Sequence, residues 1–424
     1  MAVDDNPGSP PDTTQQRDAE RPEHAGHPKN TRHSRPLGRP AKKKRRLLGW
    51  IFSLASIILL TWITITLISG RGSGFSDLAG LFNLGGSSEP ASEYHFTVGS
   101  NRVFANLEGS IASAGTLGVQ VLSANGTETL RDVFHMSSPA IETTEGRAIA
   151  FDIGGSAVRT FSKTQVSATI ETGGAIISAS INKNNWFVVC TQESEAFRSV
   201  VTAYDNRGRD VYRISLATGY ALSAMLTPDN KKLAVLDLTN NGSRITIYDL
   251  SREEPDGVFE YPDGLILDMQ YTTGGKILAV AADSLIIVDA GGAGTELFGF
   301  DGRRLGGYVF GDNFTALHLF DYSVGYSGRL ITLDDTGRLL GGVVTDKELL
   351  SMSASRGYLT ILKNEGPVFF DSELNEYLTV GELAVAAGAT RVLSLSDDAA
   401  LVASDHFAVV LKIGRAQSSD DSRN

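Results

Sequence analysis

A single cysteine, Cys190, in 424 residues excludes an intramolecular disulfide framework and any thiolate zinc site built on a C-x-x-C pair. Tryptophan is almost as scarce: of three, only Trp186 lies beyond the first seventy residues. Histidine is limited to seven, and H-E-x-x-H, G-x-S-x-G and the calcium-loop pattern are all missing. Proline, at 13 residues, is too sparse for a collagen-like chain, and 42% hydrophobic with 21% charged residues is too apolar for a wholly disordered one. What is present is divided in charge. Residues 1–46 hold 11 Lys and Arg against 6 Asp and Glu, a charge of +5, so the net charge of -11 leaves -16 on an acidic body that follows a basic tail. That body does not suit a nucleic acid.

From Leu47 to Ser69 there is no charged residue, and a helix of that length spans about 34 Å, enough to cross a bilayer core. Six basic residues, Arg39 and Lys42, Lys43, Lys44, Arg45 and Arg46, precede the run, and only Arg71 follows closely. The positive-inside rule therefore predicts a single-pass membrane anchor with a cytoplasmic N-terminus and everything after Gly70 extracytoplasmic. The run is too long for a cleavable signal, and no small-residue cleavage site follows it. Residues 1–46 read as a disordered basic cytoplasmic tail, 47–69 as the transmembrane helix, and 70–93 as a Gly/Ser-rich linker with one short apolar segment. His24, His27 and His33 fall in the tail, with no carboxylate or thiolate frame for a metal.

Self-similarity governs residues 94–413. Apolar alternating runs end at Ser123, Ser162, Asp205, Asp249, Asp289, Asp334, Asp371 and Lys412, spaced 37 to 45 residues apart. A second apolar run precedes each of them at a similar pitch. About four short strands in each period of 40 residues predict an all-β, eight-bladed β-propeller, with seven blades as the alternative count. Blade five illustrates the unit: LILDMQY innermost, then KILAVAA, SLIIVDA and TELFGF. The last unit lacks an outer strand before the C-terminal tail, 414–424. Tyr94 to Val98, which has no blade of its own, is therefore predicted to close the ring as that strand.

Five of the eight third strands end in Asp, a pattern that could suggest catalysis or calcium. Asp at a turn start accepts hydrogen bonds from its own downstream backbone, so these residues read as turn chemistry. Ser180 to Lys183 matches S-x-x-K without the partner motifs of penicillin-binding enzymes, and Gly291 to Gly294 lacks the helix a phosphate site needs. His95, His135, His318 and His406 read as strand residues, and Cys190 as a small core side chain. The repeated tryptophan, aspartate-box and Trp-Asp marks of known propellers are missing, so no catalytic residue, cofactor or metal is predicted.

What remains is a binding surface. Three loops between second and third strands look long: TQESEAFRS in blade three, LTNNGSR in blade four and FDYSVGYSGR in blade six. The residue types that anchor interfaces within them are Phe197, Arg198, Asn241, Arg244, Asp321, Tyr322, Tyr326 and Arg329.

The order of parts, a polar basic tail, AKKKRR, one span, a short apolar linker and repeated LAV-then-YD/VD strands, resembles a bacterial family of domains of unknown function. The resemblance implies a single-pass membrane protein with a propeller-like outer domain, and makes the sequons at Asn125, Asn241 and Asn313 coincidental. It carries no site motif. The expectation is a non-enzymatic scaffold at the cell membrane that holds an envelope protein or peptide. The alternative is a receptor or enzyme for a small envelope-derived ligand, a glycan or peptidoglycan fragment, at the propeller channel.

Overall fold

The structure, a computed structural model, describes residues 92–192, 197–379, 388–405 and 407–412. All belong to the second of two units into which the chain divides, 76–424. The predicted tail, span, most of the linker, the C-terminal tail and His406 lie outside the described residues. No helix long and apolar enough to cross a membrane occurs among the described residues.

Among the described residues, thirty-two strands form eight four-stranded antiparallel sheets. In the first seven, spatial order follows chain order, so each blade is a meander running outward from its first strand. Blade five runs Ile266–Tyr271, Ile277–Ala281, Ser284–Val288 and Gly294–Gly299, as the repeat predicts. First strands of most neighbouring blades pack on one another and line the ring. A sheet of this kind cannot cover both its faces alone, and the core shows how the ring does it. Eight clusters of buried side chains occur, one in each seam between neighbours. Between blades two and three, for example, Ile149, Phe151 and Val158 meet Ile176, Phe187 and Val189. Eight sheets and eight seams exclude the seven-bladed count.

Blade eight is closed by the N-terminal part of the chain, but not by the strand expected. Ser92–Glu93 pairs with Ala408–Lys412, with Ser92 opposite Val410 and Glu93 opposite Val409. The ladder ends at Tyr94, whose amide still donates to the Ala408 carbonyl at 3.3 Å; its ring, 5% exposed, packs in the seam between blades eight and one, its hydroxyl donates to the Ala124 carbonyl at 2.6 Å, and residues 95–98 then leave blade eight. Val98 is then buried, and its carbonyl accepts from the Leu117 amide at 2.8 Å.

The inner strands of blades three to seven share a feature with no sequence mark. Their pairing with the second strand skips one residue, at Ile176/Ser178, Ala221/Ser223, Ile266/Asp268, Leu305/Gly307 and Leu349/Ser351. This recurrent bulge re-aims the inner strand at the same height in five successive blades.

The third-strand aspartates close turns. Asp289 accepts from the amides of Gly291 and Ala293, both at 2.9 Å, and Asp371 from those of Glu373 and Asn375. Asp334 accepts from the Thr336 hydroxyl at 2.6 Å and from the Arg338 guanidinium and amide at 3.0 Å. Thr336 first, then Arg338, hold its carboxyl down at about 2 against partial burial. Four glycines, Gly126, Gly208, Gly292 and Gly337, supply the left-handed residue of this turn; in blade seven Leu374 takes it, at φ 60°.

Candidate functional site

Strand direction alternates along each blade. Connections from second to third strand, and from each outer strand to the next blade, therefore emerge on one face, and the remaining turns on the other. The described surface exposes fourteen large apolar side chains. Val211, Val258 and Leu339 lie on outer strands away from the first face; the other eleven are on its loops or on the strand ends that reach it. Val324 is 84% exposed, Val344 79%, Val133 73% and Tyr322 68%. Single exposed apolar residues are ordinary; their segregation to one face makes that face the candidate interface.

The eight residues singled out in the sequence fall on this face in three groups. In blade three, Phe197 is exposed and the Arg198 guanidinium lies 5.0 Å from the ring centre of Tyr220, at the head of the inner strand of blade four. In blade six, the seven-residue loop 321–327 carries exposed Tyr322, Val324 and Tyr326. Asp321 braces its base, 3.2 Å from Arg303 and 3.6 Å from Arg329. Blade four departs from expectation. LTNNGSR is no long loop: the strands Lys232–Thr239 and Gly242–Asp249 run on and leave only Asn240 and Asn241 as a tight turn. Gly242, at φ 120°, makes that turn possible, and a Cβ there would sit 2.2 Å from the Tyr261 carbonyl oxygen. Arg244 is held inward, its Nε and Nη2 at 3.1 and 2.7 Å from Asp237, which is 1% exposed. That guanidinium neutralises a buried carboxylate. Residues missed in the sequence include Leu117, Ile153 and Leu265 in turns and Tyr220 at the head of an inner strand, which form one surface only once the face is assembled.

A second constellation lies on the inner strands. Glu142 of blade two, in strand Pro139–Thr144, reaches solvent in the ring's interior yet has protein around it. That enclosure first, and the charge of Asp268 second, push its carboxyl up to about 8. Asp268, at the bulge of blade five, accepts from the Tyr308 hydroxyl of blade six at 3.2 Å. Burial raises the Asp268 carboxyl against hydrogen bonds from the Met269 amide and Tyr308, and burial followed by Asp268 raises the Tyr308 phenol. At the bulges of blades three and four stand Ser178 and Ser223; the Ser223 hydroxyl is buried without a partner among the described residues. The arc thus passes from Glu142 to Tyr308 through polar groups. Cys190, beneath Ser178, is buried and its thiol is pushed up to about 12 chiefly by that burial, so it is a packing residue. No cluster of His, Cys, Asp and Glu suited to a metal occurs among the described residues.

The profile of a family of unknown function, DUF5711, matches residues 87–298, half of the chain. Among solved structures, the C-terminal WD40 domain of Sif2 superposes with a TM-score of 0.55 at 12% identity, over 78% of this chain and 100% of that one. A structure described as the eukaryotic initiation factor gives 0.50 at 10% identity, over 77% of this chain and 89% of that one. At such identities the likeness is one of fold alone. No curated protein matches the chain in sequence.

Proposed function

We infer that this chain, which belongs to the DUF5711 family of unknown function, is a membrane-anchored, non-enzymatic β-propeller scaffold that holds an envelope protein or peptide. The observation that carries this reading is the segregation of exposed apolar side chains to the face that bears the long loop of blade six. Tyr322 and Tyr326, with Phe197 and the Arg198–Tyr220 pair, are rigid amphipathic anchors of the kind that dominate interface energetics. Propeller folds commonly serve as platforms for protein partners, which agrees with this reading by analogy. The uncharged run 47–69 behind a basic cluster supports a single-pass anchor in the cell membrane with the propeller outside the cytoplasm.

The test is photocrosslinking in intact cells from positions 197, 322 and 326, with positions 211 and 339 on the other end of the blades as controls. Specific protein adducts from the first three alone are expected. Equal background from both sets would remove the interface. Protease protection in the same cells reads the topology: a propeller degraded from outside supports the anchor's orientation, and a protected one reverses it.

A second reading, a receptor for a small envelope-derived ligand in the channel, is favoured by the convergence of Glu142, Asp268 and Tyr308. It predicts ligand-dependent protection of those three residues and none on the loop face.

A further inference from the structure

The free edge of blade six is used by neither reading. Its outer strand, Leu339–Thr345, is the last in its sheet, and its outer side is unpaired among the described residues. A free edge is a template for another strand, and folded proteins guard it with charge, proline or brevity. Seven of the eight outer strands among the described residues are guarded in this way. Blade one has Arg131 and Asp132, blade three Asp210 and Arg213, blade four Pro255 and Glu260, and blades two, five, seven and eight a glutamate each. LLGGVVT of blade six has no charged residue and no proline.

The fold does not ask for this bareness. Leu339 is 56% exposed and Val344 79%. Gly341 has an internal reason, since a Cβ there would sit 2.0 Å from the Glu373 carbonyl oxygen of blade seven. Gly342 has none: it is exposed, its φ is not left-handed, and a Cβ would meet only Ile331 Cγ2, at an ordinary 3.7 Å. Pairing with the third strand places these residues. Thr332 lies opposite Gly341 and Leu333 opposite Leu339, so Leu340 is the extra residue of a bulge. Leu339, Gly342 and Val344 therefore share one face of the sheet, that of Leu333 and Ile331 toward blade five, with Leu339 and Val344 each two pairs from Gly342. Exposed Arg338 precedes the strand and exposed Asp346 follows it.

We propose that the occupant of this edge is a second copy of the chain, its own Leu339–Thr345 added antiparallel about a twofold axis at Gly342. A twofold contact demands a strand complementary to itself. In this register Leu339 of each copy lies opposite Val344 of the other on the same face, so four exposed apolar side chains cover one another. The glycines meet at the axis, and the basic end of each strand lies beside the acidic end of the other. Two four-stranded blades become one eight-stranded sheet. Of the loop face this contact takes only Val344, so it stands or falls separately from the scaffold reading. Position 339, a control for the loop face, is then expected to crosslink to the chain itself and to no other protein.

The test is analytical ultracentrifugation of the detergent-solubilised full chain across a dilution series. A reversible dimer is expected. Val344→Lys places on this edge the residue that guards natural ones, at an exposed position, so the far-UV circular dichroism stays unchanged. It should raise the dimer dissociation constant by about tenfold or more, because the change enters twice at a symmetric contact. Geometry is read with a short bifunctional thiol reagent, from which Cys190 is shielded by burial. Leu339→Cys and Val344→Cys chains, mixed, should crosslink to each other; either alone should not, because like positions lie four residues along the strand, about 14 Å apart. A monomer, a dimer that V344K leaves intact, or crosslinking of L339C to itself in preference to V344C would each overturn the proposal.

Discussion

Replacing His318 by Leu should flatten the acid sensitivity of the propeller. His318 sits on the second strand of blade six, 2% exposed, sharing a hydrogen bond of 3.0 Å between its Nε2 and Thr345 Oγ1. Its ring meets Phe320 edge-on at 4.6 Å, and the Arg304 guanidinium lies 4.2 Å over that same Phe320 ring. Burial first, and the Arg304 charge second, lower the imidazole to about 4. The unfolded chain, with an ordinary imidazole near 6.5, takes up a proton that the folded chain refuses. Stability from this group is therefore complete above about pH 6.5 and drains away as pH falls toward about 4. By linkage, roughly 2–3 kcal/mol is lost by pH 4.5. Leucine fits the position, because Leu236 and Leu362 stand opposite the post-bulge residue in blades four and seven as His318 does in blade six. H318L strands the Thr345 hydroxyl at a pH-independent cost of about 1 kcal/mol, which the double variant H318L/T345V removes. Urea unfolding at pH 7.5 and 4.5 gives the drop in stability for each protein. The double variant should lose roughly 2–3 kcal/mol less than wild type across that interval. Parallel drops in both proteins would mean that the folded state accommodates the imidazolium, and the burial argument would fail.

Three further outcomes follow from particular contacts. Glu142→Gln should stabilise the protein at pH 8 and leave it unchanged near pH 4, since a carboxyl raised in the fold costs stability as pH rises from its ordinary value toward about 8; denaturant midpoints at the two pH values check the sign. Phe187→Ala, which empties a fully buried position stacked on Tyr204 at 4.9 Å, should cost about 3–5 kcal/mol in equilibrium unfolding. Ser243→Ala should cost about 1–3 kcal/mol, because its hydroxyl accepts the buried Ile266 amide of the next blade at 2.9 Å; a loss no larger than that of an exposed serine such as Ser251 would show that water replaces it.

The period was legible because propeller blades repeat the same physical problem. Each second and third strand is buried on both faces, so runs such as LAVLD and ITIYD stand out from polar turns. Asp205, Asp249, Asp289, Asp334 and Asp371 were equally legible, since their turn accounts for the carboxylate without a ligand. Sequence reasoning erred where local polarity and strand geometry disagree. Asn240, Asn241, Gly242 and Ser243 look like loop, yet the ladder continues through Gly242 and Ser243 because Ser243 is buried against the next blade and Gly242 accepts a backbone that other residues resist. Tyr94 looks like the start of an outer strand, but it is where that strand ends: its amide makes the last bond to Ala408, and its ring packs in the seam between blades eight and one.

The candidate sites were hidden for a reason that belongs to the architecture. Glu142 and Asp268 are 126 positions apart and occupy unremarkable inner strands, so only ring closure lets the charge of one act on the other. The bulge at Ile266/Asp268 then turns Asp268 to the Tyr308 hydroxyl of the next blade. The apolar face has the same origin: Leu117, Ile153 and Phe197 each stand alone in a turn, and become one side of a molecule because every second strand runs in the same sense around the axis. A repeat protein thus announces its scaffold through what its units share. Its individuality resides in where single units deviate, as blade six does with the loop 321–327, and such a deviation gains meaning from neighbours that the linear sequence places some forty residues away.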